Sequence, residues 1–247
     1  MESFVFPADL TARLQAAAES FWSTRNSQIS RNKEIGTQDQ GNRGAVTGGK
    51  QMDGFVRLIR EILLLKGVPE RCVFTDSCLE LPGFYRPNKK WDLLVVDRDR
   101  LILVIEFKSQ TGPSFGNNFN NRTEEAMGSA LDLWTAYREG VFGVHRPWLG
   151  YFMVLEDCPE TRRPIRAAAP HFPVLPEFER ASYQERYEVF CRKLLLERQY
   201  DGACLITTSF DGRKAHFREQ ADDLSAFDFI RAMAATAAAS FDGETRP

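Results

Sequence analysis

The sequence predicts an α/β protein with a mixed central β-sheet flanked by helices, and three observations carry that prediction. Residues 91–96 (WDLLVV) and 101–107 (LILVIEF) are apolar on both strand faces, as strands in the middle of a covered sheet are. Before them, Phe55, Leu58, Ile59, Ile62 and Leu65 recur at i, i+3, i+4, i+7 and i+10, the stripe of an amphipathic helix. Beyond them, helical and strand patterns continue to the end of the chain with no internal repeat or linker, so one domain over 1–247 is expected.

Taken in order, residues 8–24 are Ala- and Leu-rich with near-helical apolar spacing and predict a first helix. The stretch 26–51 is rich in Gly, Asn, Gln, Lys and Arg and poor in apolar residues. It predicts a polar, Gly-rich segment too long for an idle loop. The helix carrying Phe55 to Leu65 ends at Lys66-Gly67. A weak strand over 73–81 precedes the two strong ones, which Asp97-Arg98-Asp99-Arg100 joins as a hairpin. An Asn-rich loop (Asn117, Asn118, Asn120, Asn121) leads to a helix marked by Met127, Ala130, Leu131, Trp134 and Tyr137. A strand over 148–155, a Pro- and Arg-containing loop over 159–176, a helix over 183–198, a strand over 203–208 and a helix over 224–239 complete the chain.

Composition narrows the chemistry. The chain is 43% hydrophobic and 12% aromatic, which is enough for a substantial core. No stretch approaches the roughly 20 apolar residues that span a bilayer, and Met1-Glu2 does not begin a signal peptide, so no membrane partner and a cytoplasmic location are expected. The five cysteines and three histidines are scattered without Cys-x-x-Cys, which argues against a disulfide framework, a zinc site and a thiol nucleophile. Gly48-Gly49-Lys50 lacks the spacing of a nucleotide phosphate loop. Net charge is −2, but it is polarised: residues 25–60 hold seven basic against three acidic residues, and 219–247 hold six acidic against two basic. The first region suits a polyanion and the second does not.

Three charges intrude on the apolar hairpin. Asp92 opens its first strand, and Glu106 and Lys108 close its second on one face, with Phe107 pointing to the other. Asp92 faces Glu106 only if the hairpin loop is odd or a β-bulge shifts the pairing; an even loop pairs Asp92 with Ile105. The odd or bulged register is expected, because it alone gathers two carboxylates and an ammonium. Two close carboxylates repel, and a divalent cation relieves them. With the Phe107 carbonyl, Asp92 and Glu106 give the oxygen ligands that Mg²⁺ prefers, while Lys108 orients or helps deprotonate a water and stabilises charge on a transferring phosphate. Glu-x-Lys alone is more often a solvated ion pair at a sheet edge; its place on this hairpin reverses that.

Asp92, thirteen intervening residues and Glu106-Phe107-Lys108 resemble the PD-(D/E)xK nuclease superfamily, with Trp91 where the motif has proline. The run Gly41 to Lys50 (GNRGAVTGGK), the length and the order of elements resemble the XhoI family of type II restriction endonucleases across essentially the whole chain. That resemblance implies a restriction-endonuclease-like core and Mg²⁺-dependent cleavage of double-stranded DNA at the palindrome CTCGAG after the first C. It implies a homodimer, protected by a cognate DNA methyltransferase that need not touch it. Asp92 and Glu106 become metal ligands and Lys108 the catalytic lysine. Glu61 is a supplementary carboxylate in such a reading, although a surface pair with Arg57 at i, i+4 explains it better.

DNA contacts must come from loops. Asn42, Arg43 and Lys50 lie among glycines that let backbone approach phosphates, and Asn117, Asn118, Asn120 and Arg122 offer base-reading side chains near the catalytic strands. Against this stands an ordinary turn with Asn121 capping a helix. Arg162, Arg163 and Arg166 read equally as phosphate clamps and as a solvated basic loop. Two alternatives remain: a structure-specific repair or recombination nuclease, and a non-catalytic DNA-binding module of the same fold.

Overall fold

The computed structural model describes residues 7–35 and 50–241. Its elements run α1 (Leu10–Ile35), α2 (Asp53–Leu65), β1 (Val73–Phe74), β2 (Glu80–Pro82), β3 (Asn88–Lys90), β4 (Leu93–Asp97), β5 (Arg100–Gln110), α3 (Phe115–Arg138), β6 (Trp148–Glu156), α4 (Tyr183–Leu196), β7 (Gly202–Phe210), β8 (Ala215–Glu219) and α5 (Ala226–Phe241). Six strands form a sheet in the order β1-β4-β5-β6-β7-β8, and β2 and β3 form a separate hairpin. The β5–β6 and β6–β7 pairings are parallel and the others antiparallel, so the sheet is mixed.

Each face of the sheet carries its own core. On one, Leu14 and Phe21 of α1, Phe55, Ile59 and Ile62 of α2, and Phe229, Ile230 and Met233 of α5 cover Leu103, Ile105, Phe152 and Ile206. On the other, Ala130 and Leu133 of α3 and Tyr187, Cys191 and Leu194 of α4 cover Leu94, Val104, Tyr151 and Leu205. Leu103, Val104 and Ile105 are fully buried, each contributing about 1.5–3 kcal/mol of hydrophobic stabilisation. That burial on both faces is what the continuous apolar run of β5 encodes.

The hairpin register is the bulged one. A tight turn pairs Asp97 with Arg100 and Val96 with Leu101; the ladder then shifts so that Val95 pairs with Leu103, Leu94 with Val104 and Leu93 with Ile105. Ile102 is the extra residue. It lies in the same core as its neighbour Leu103, where an unbroken strand would send them to opposite faces.

Several expectations need correction. Helix α1 continues to Ile35 instead of ending at 24, because Gln, Arg, Lys and Glu extend an existing helix at little cost. The polar segment therefore begins as helix, and its glycine-rich part at 36–49 lies outside the described residues. The weak strand over 73–81 divides between β1 and β2, while β3 and β8 are too short and polar to show in the pattern. The stretch holding Asn117, Asn118, Asn120, Asn121 and Arg122 is not a loop but the first turns of α3, and Ser114, not Asn121, takes its N-cap position. Phe115 and Phe119 pack against Tyr183 and Tyr187, and that burial overrides the low helix propensity of asparagine. Of the residues that mark this helix in the sequence, Ala130 and Trp134 are buried with Ala126 and Leu133, while Met127 and Leu131 are exposed. Both α4 and α5 cover the sheet, one on each face.

Candidate active site

Asp92, Glu106 and Lys108 meet in a cleft on the α3/α4 face of the sheet, beside the far end of β5. The bulge puts Asp92 on the same side as Glu106, and its Oδ2 accepts the Phe107 amide hydrogen at 2.8 Å, which ties the start of β4 to β5. Phe107 itself points through the sheet and packs on Phe152, so it can offer the cleft only its backbone.

Glu106 is buried, and all its partners are close. Lys108 Nζ and Lys89 Nζ each stand 3.0 Å from Oε1, and the Tyr200 hydroxyl donates to Oε2 at 2.9 Å, that hydroxyl also lying 3.1 Å from the Ala126 carbonyl. Lys89 arrives from β3 with its ammonium 4.2 Å from the centre of the Trp91 ring. Lys108 also lies 3.7 Å from Glu125 of α3.

These contacts set the protonation states. Burial pushes the Glu106 carboxyl up, but the Lys108 and Lys89 ammoniums overrule it and hold it below the usual carboxylate range. Burial would lower Lys108; Glu106 and Asp92 reverse this and raise it, so it is an ammonium at neutral pH. Asp92 goes the other way. Its burial outweighs the pull of Lys108 and of the Phe107 amide, and its carboxyl sits above the ordinary value. Its charge is thus under-compensated, and a further cation would relieve it. Two carboxylates and a peptide carbonyl are hard oxygen donors, which fits a divalent ion such as Mg²⁺. Among the described residues no group of three or more His, Cys, Asp and Glu converges as a metal site, in this cleft or elsewhere, so the carboxylate donors here would be Asp92 and Glu106 alone.

Of the residues expected to contact DNA, Asn118 and Arg122 line this cleft. Asn117 and Asn120 are exposed on α3, Lys50 is exposed one residue before the cleft-lining Gln51, and Asn42 and Arg43 lie outside the described residues. Glu61 does not belong to the cleft. It is exposed and pairs with Arg13 of α1 at 2.8 Å, not with Arg57, because α1 packs alongside α2. Arg162 is engaged by Asp157 at 2.6 Å. Sequence reasoning missed Lys89, Tyr200 and Asp132. A basic pair, Lys89-Lys90, directly before Trp91-Asp92 was the one visible signal.

A helix-flanked mixed sheet with this cleft on its central hairpin is a restriction-endonuclease-like nuclease fold. The family model of restriction endonuclease XhoI matches residues 31–219, a span that includes every residue of the cleft. The chain belongs to the XhoI restriction endonuclease family, whose members are DNA-cleaving hydrolases. It is 49% identical over 209 residues to the type II restriction enzyme BstVI of Geobacillus stearothermophilus, covering 82% of this chain and 93% of that one. It is 48% identical over 192 residues to the type II restriction enzyme XhoI of Xanthomonas vasicola, covering 76% of each chain. With the type II restriction enzyme AbrI of Azospirillum brasilense the identity is 46% over 167 residues, 67% of this chain and 75% of that one. No solved structure matches it significantly. No helix among the described residues is long and apolar enough to cross a membrane.

Proposed function

We propose that this chain is a type II restriction endonuclease acting as one domain over 1–247, which uses Mg²⁺ to hydrolyse double-stranded DNA at CTCGAG after the first C. The observation that carries the chemistry is the buried Glu106 carboxylate flanked by Asp92 and Lys108 in one cleft. The palindrome rests on the family resemblance alone; the relatives, themselves type II restriction enzymes, support site-specific DNA cleavage in general. Type II restriction endonucleases generally use divalent metal ions.

Asp92, Glu106 and the Phe107 carbonyl would hold the ion, which when bound supplies Lewis-acid polarisation of the scissile phosphate. Lys108 carries the rest. As an ammonium held by Glu106 and Asp92 it orients the attacking water and stabilises the charge that grows on the phosphate oxygens. Tyr200 and Lys89 keep Glu106 ionised and fixed in place. Asn42, Arg43, Lys50, Asn117, Asn118, Asn120 and Arg122 are assigned to the duplex, Asn118 and Arg122 from within the cleft.

Cutting both strands of a palindrome at equivalent positions calls for two copies of this single site, and so for a homodimer about a twofold axis. A cognate methyltransferase would protect host DNA without contact. Plasmid digestion with Mg²⁺, followed by sequencing of the ends, tests the reading. Discrete fragments ending within CTCGAG are expected. Scattered nicks would favour a structure-specific repair nuclease, and intact plasmid a non-catalytic DNA-binding module.

A further inference from the structure

The cleft has a second edge, formed by the hairpin of β2 and β3, of which the hydrolytic chemistry uses only Lys89. Its tip, residues 83–86, carries Phe84 and Tyr85, 50% and 66% exposed, with their rings edge to face 4.9 Å apart, followed by Arg86. Tyr85, Arg86 and Lys89 line the same cleft as Asp92, Glu106 and Lys108.

The tip is held in place from below. Asp132 of α3 is buried, and its Oδ1 accepts the amide hydrogens of both Phe84 and Tyr85 at 2.8 Å while Oδ2 accepts Arg86 Nε at 2.7 Å. Gly83 makes the close approach possible: a Cβ there would stand 2.5 Å from Asp132 Oδ2 and 2.8 Å from the Arg86 carbonyl. A buried carboxylate is costly unless fully hydrogen-bonded, and here its partners all come from one exposed loop. Such a clamp does nothing for the core; it fixes the direction in which two bare aromatic rings and a guanidinium project. Arg86 binds Asp132 through Nε, and its terminal nitrogens make no hydrogen bond among the described residues.

We propose that the tip at 83–86 is a preformed duplex-docking element, in which Arg86 holds a backbone phosphate beside the scissile bond and Phe84 and Tyr85 pack on deoxyribose and exposed base edges. The inference rests on the duplex-cutting reading above. Charge favours DNA as the occupant: Arg86 and Lys90 are exposed on the hairpin against Glu80, while Lys89 is engaged by Glu106. Aromatic faces beside arginine are the surface on which sugars and bases settle. A second copy of this chain is the competing occupant, and the test separates the two.

Wild type, Arg86→Ala and Phe84→Ala/Tyr85→Ala are compared by fluorescence anisotropy on a labelled CTCGAG duplex in Ca²⁺ across a salt series, alongside plasmid cleavage in Mg²⁺ and sedimentation without DNA. The double variant is expected to weaken duplex binding by about tenfold or more, as loss of stacking surfaces does. Arg86→Ala should lower the slope of log affinity against log salt by about one, as loss of one phosphate contact does. Asp132→Ala should speed amide exchange at Phe84 and Tyr85 and weaken binding while Arg86 and both rings are still present.

Unchanged duplex affinity in the double variant and in Arg86→Ala overturns the proposal. Loss of a dimer in sedimentation with the affinity per bound chain preserved also overturns it, in favour of a contact between copies. Wild type that binds the duplex but never cuts it refutes the activity and leaves the tip to be decided by the binding data; wild type that binds no duplex refutes both.

Discussion

The hydroxyl of Tyr200 stands 2.9 Å from Glu106 Oε2, joining the loop before β7 to a carboxylate on β5. Both groups are buried, and burial raises the phenol far above its ordinary pKa, so the hydroxyl keeps its proton and donates it in a hydrogen bond to the carboxylate. Tyr200→Phe leaves a buried carboxylate oxygen without that donor. Urea unfolding should show a loss of about 1–3 kcal/mol, and cleavage should slow while duplex binding in Ca²⁺ holds.

Glu106→Ala and Lys108→Ala should each abolish cleavage while specific binding persists, because both groups act on the phosphate after docking. Glu106→Ala leaves the Lys89 and Lys108 ammoniums together without the carboxylate they share, which makes the cleft more positive. Gel shift in Ca²⁺ beside digestion in Mg²⁺ checks this, and near wild-type cutting by either variant would refute the assignment.

Lys89→Met removes one of the two cations that overcome the burial of Glu106, so the Glu106 carboxyl must titrate at higher pH than in wild type. The sign comes from linkage. A carboxyl lowered by folding adds stability above its unfolded value near 4.5, and that stability is lost as pH falls through the folded value. In Lys89→Met the folded value lies nearer the unfolded one, so the contribution is smaller and its loss ends at higher pH, and the acid limb of the cleavage profile moves upward with the Glu106 carboxyl. Cleavage rates and urea midpoints between pH 4 and 7, read against wild type, decide the matter.

Gly150 and Gly202 are paired across β6 and β7, and the Trp148 ring lies over both; a Cβ at either would come within 2.4 Å of it. Trp148 is wedged in turn against Phe229 of α5, 5.2 Å between ring centres, so it has little room to yield. Gly150→Ala and Gly202→Ala should each destabilise the protein by about 1–3 kcal/mol, the usual cost of overpacking a core, as thermal unfolding would show.

Much of this was legible in the chain. The doubly apolar hairpin announced its place in the sheet, and the positions of the charges on it restricted the register to the odd or bulged forms. What the chain concealed is long-range. Tyr200 lies ninety-four residues from Glu106 and reads locally as an ordinary core aromatic. Asp132, on α3, reads as a surface helical charge until the tip folds onto it. The Asn117 to Arg122 run misled for a related reason: its residues favour turns on their own, and only the aromatic cluster of Phe115, Phe119 and Tyr187 makes them helical.

Ile102 does more than fill a gap. From Asp92 to Asp97 the first arm of the hairpin counts six residues and from Arg100 to Glu106 the second counts seven, so Ile102 takes up a difference of one. It is slack, and slack gives the hairpin a direction in which its length can change. Loss of Ile102 leaves arms of equal length: Val95 still meets Leu103, Leu93 still meets Ile105, and Leu101 and Leu103 already lie in opposite cores. The carboxylates stay level. Loss of a residue from β4 widens the mismatch instead and, with turn and bulge intact, brings Asp92 level with Ile105. Strand β5 cannot slide to compensate, because eight paired positions hold it against β6. Length variation compatible with the site is therefore one-sided: the second arm can shorten by a residue where the first cannot.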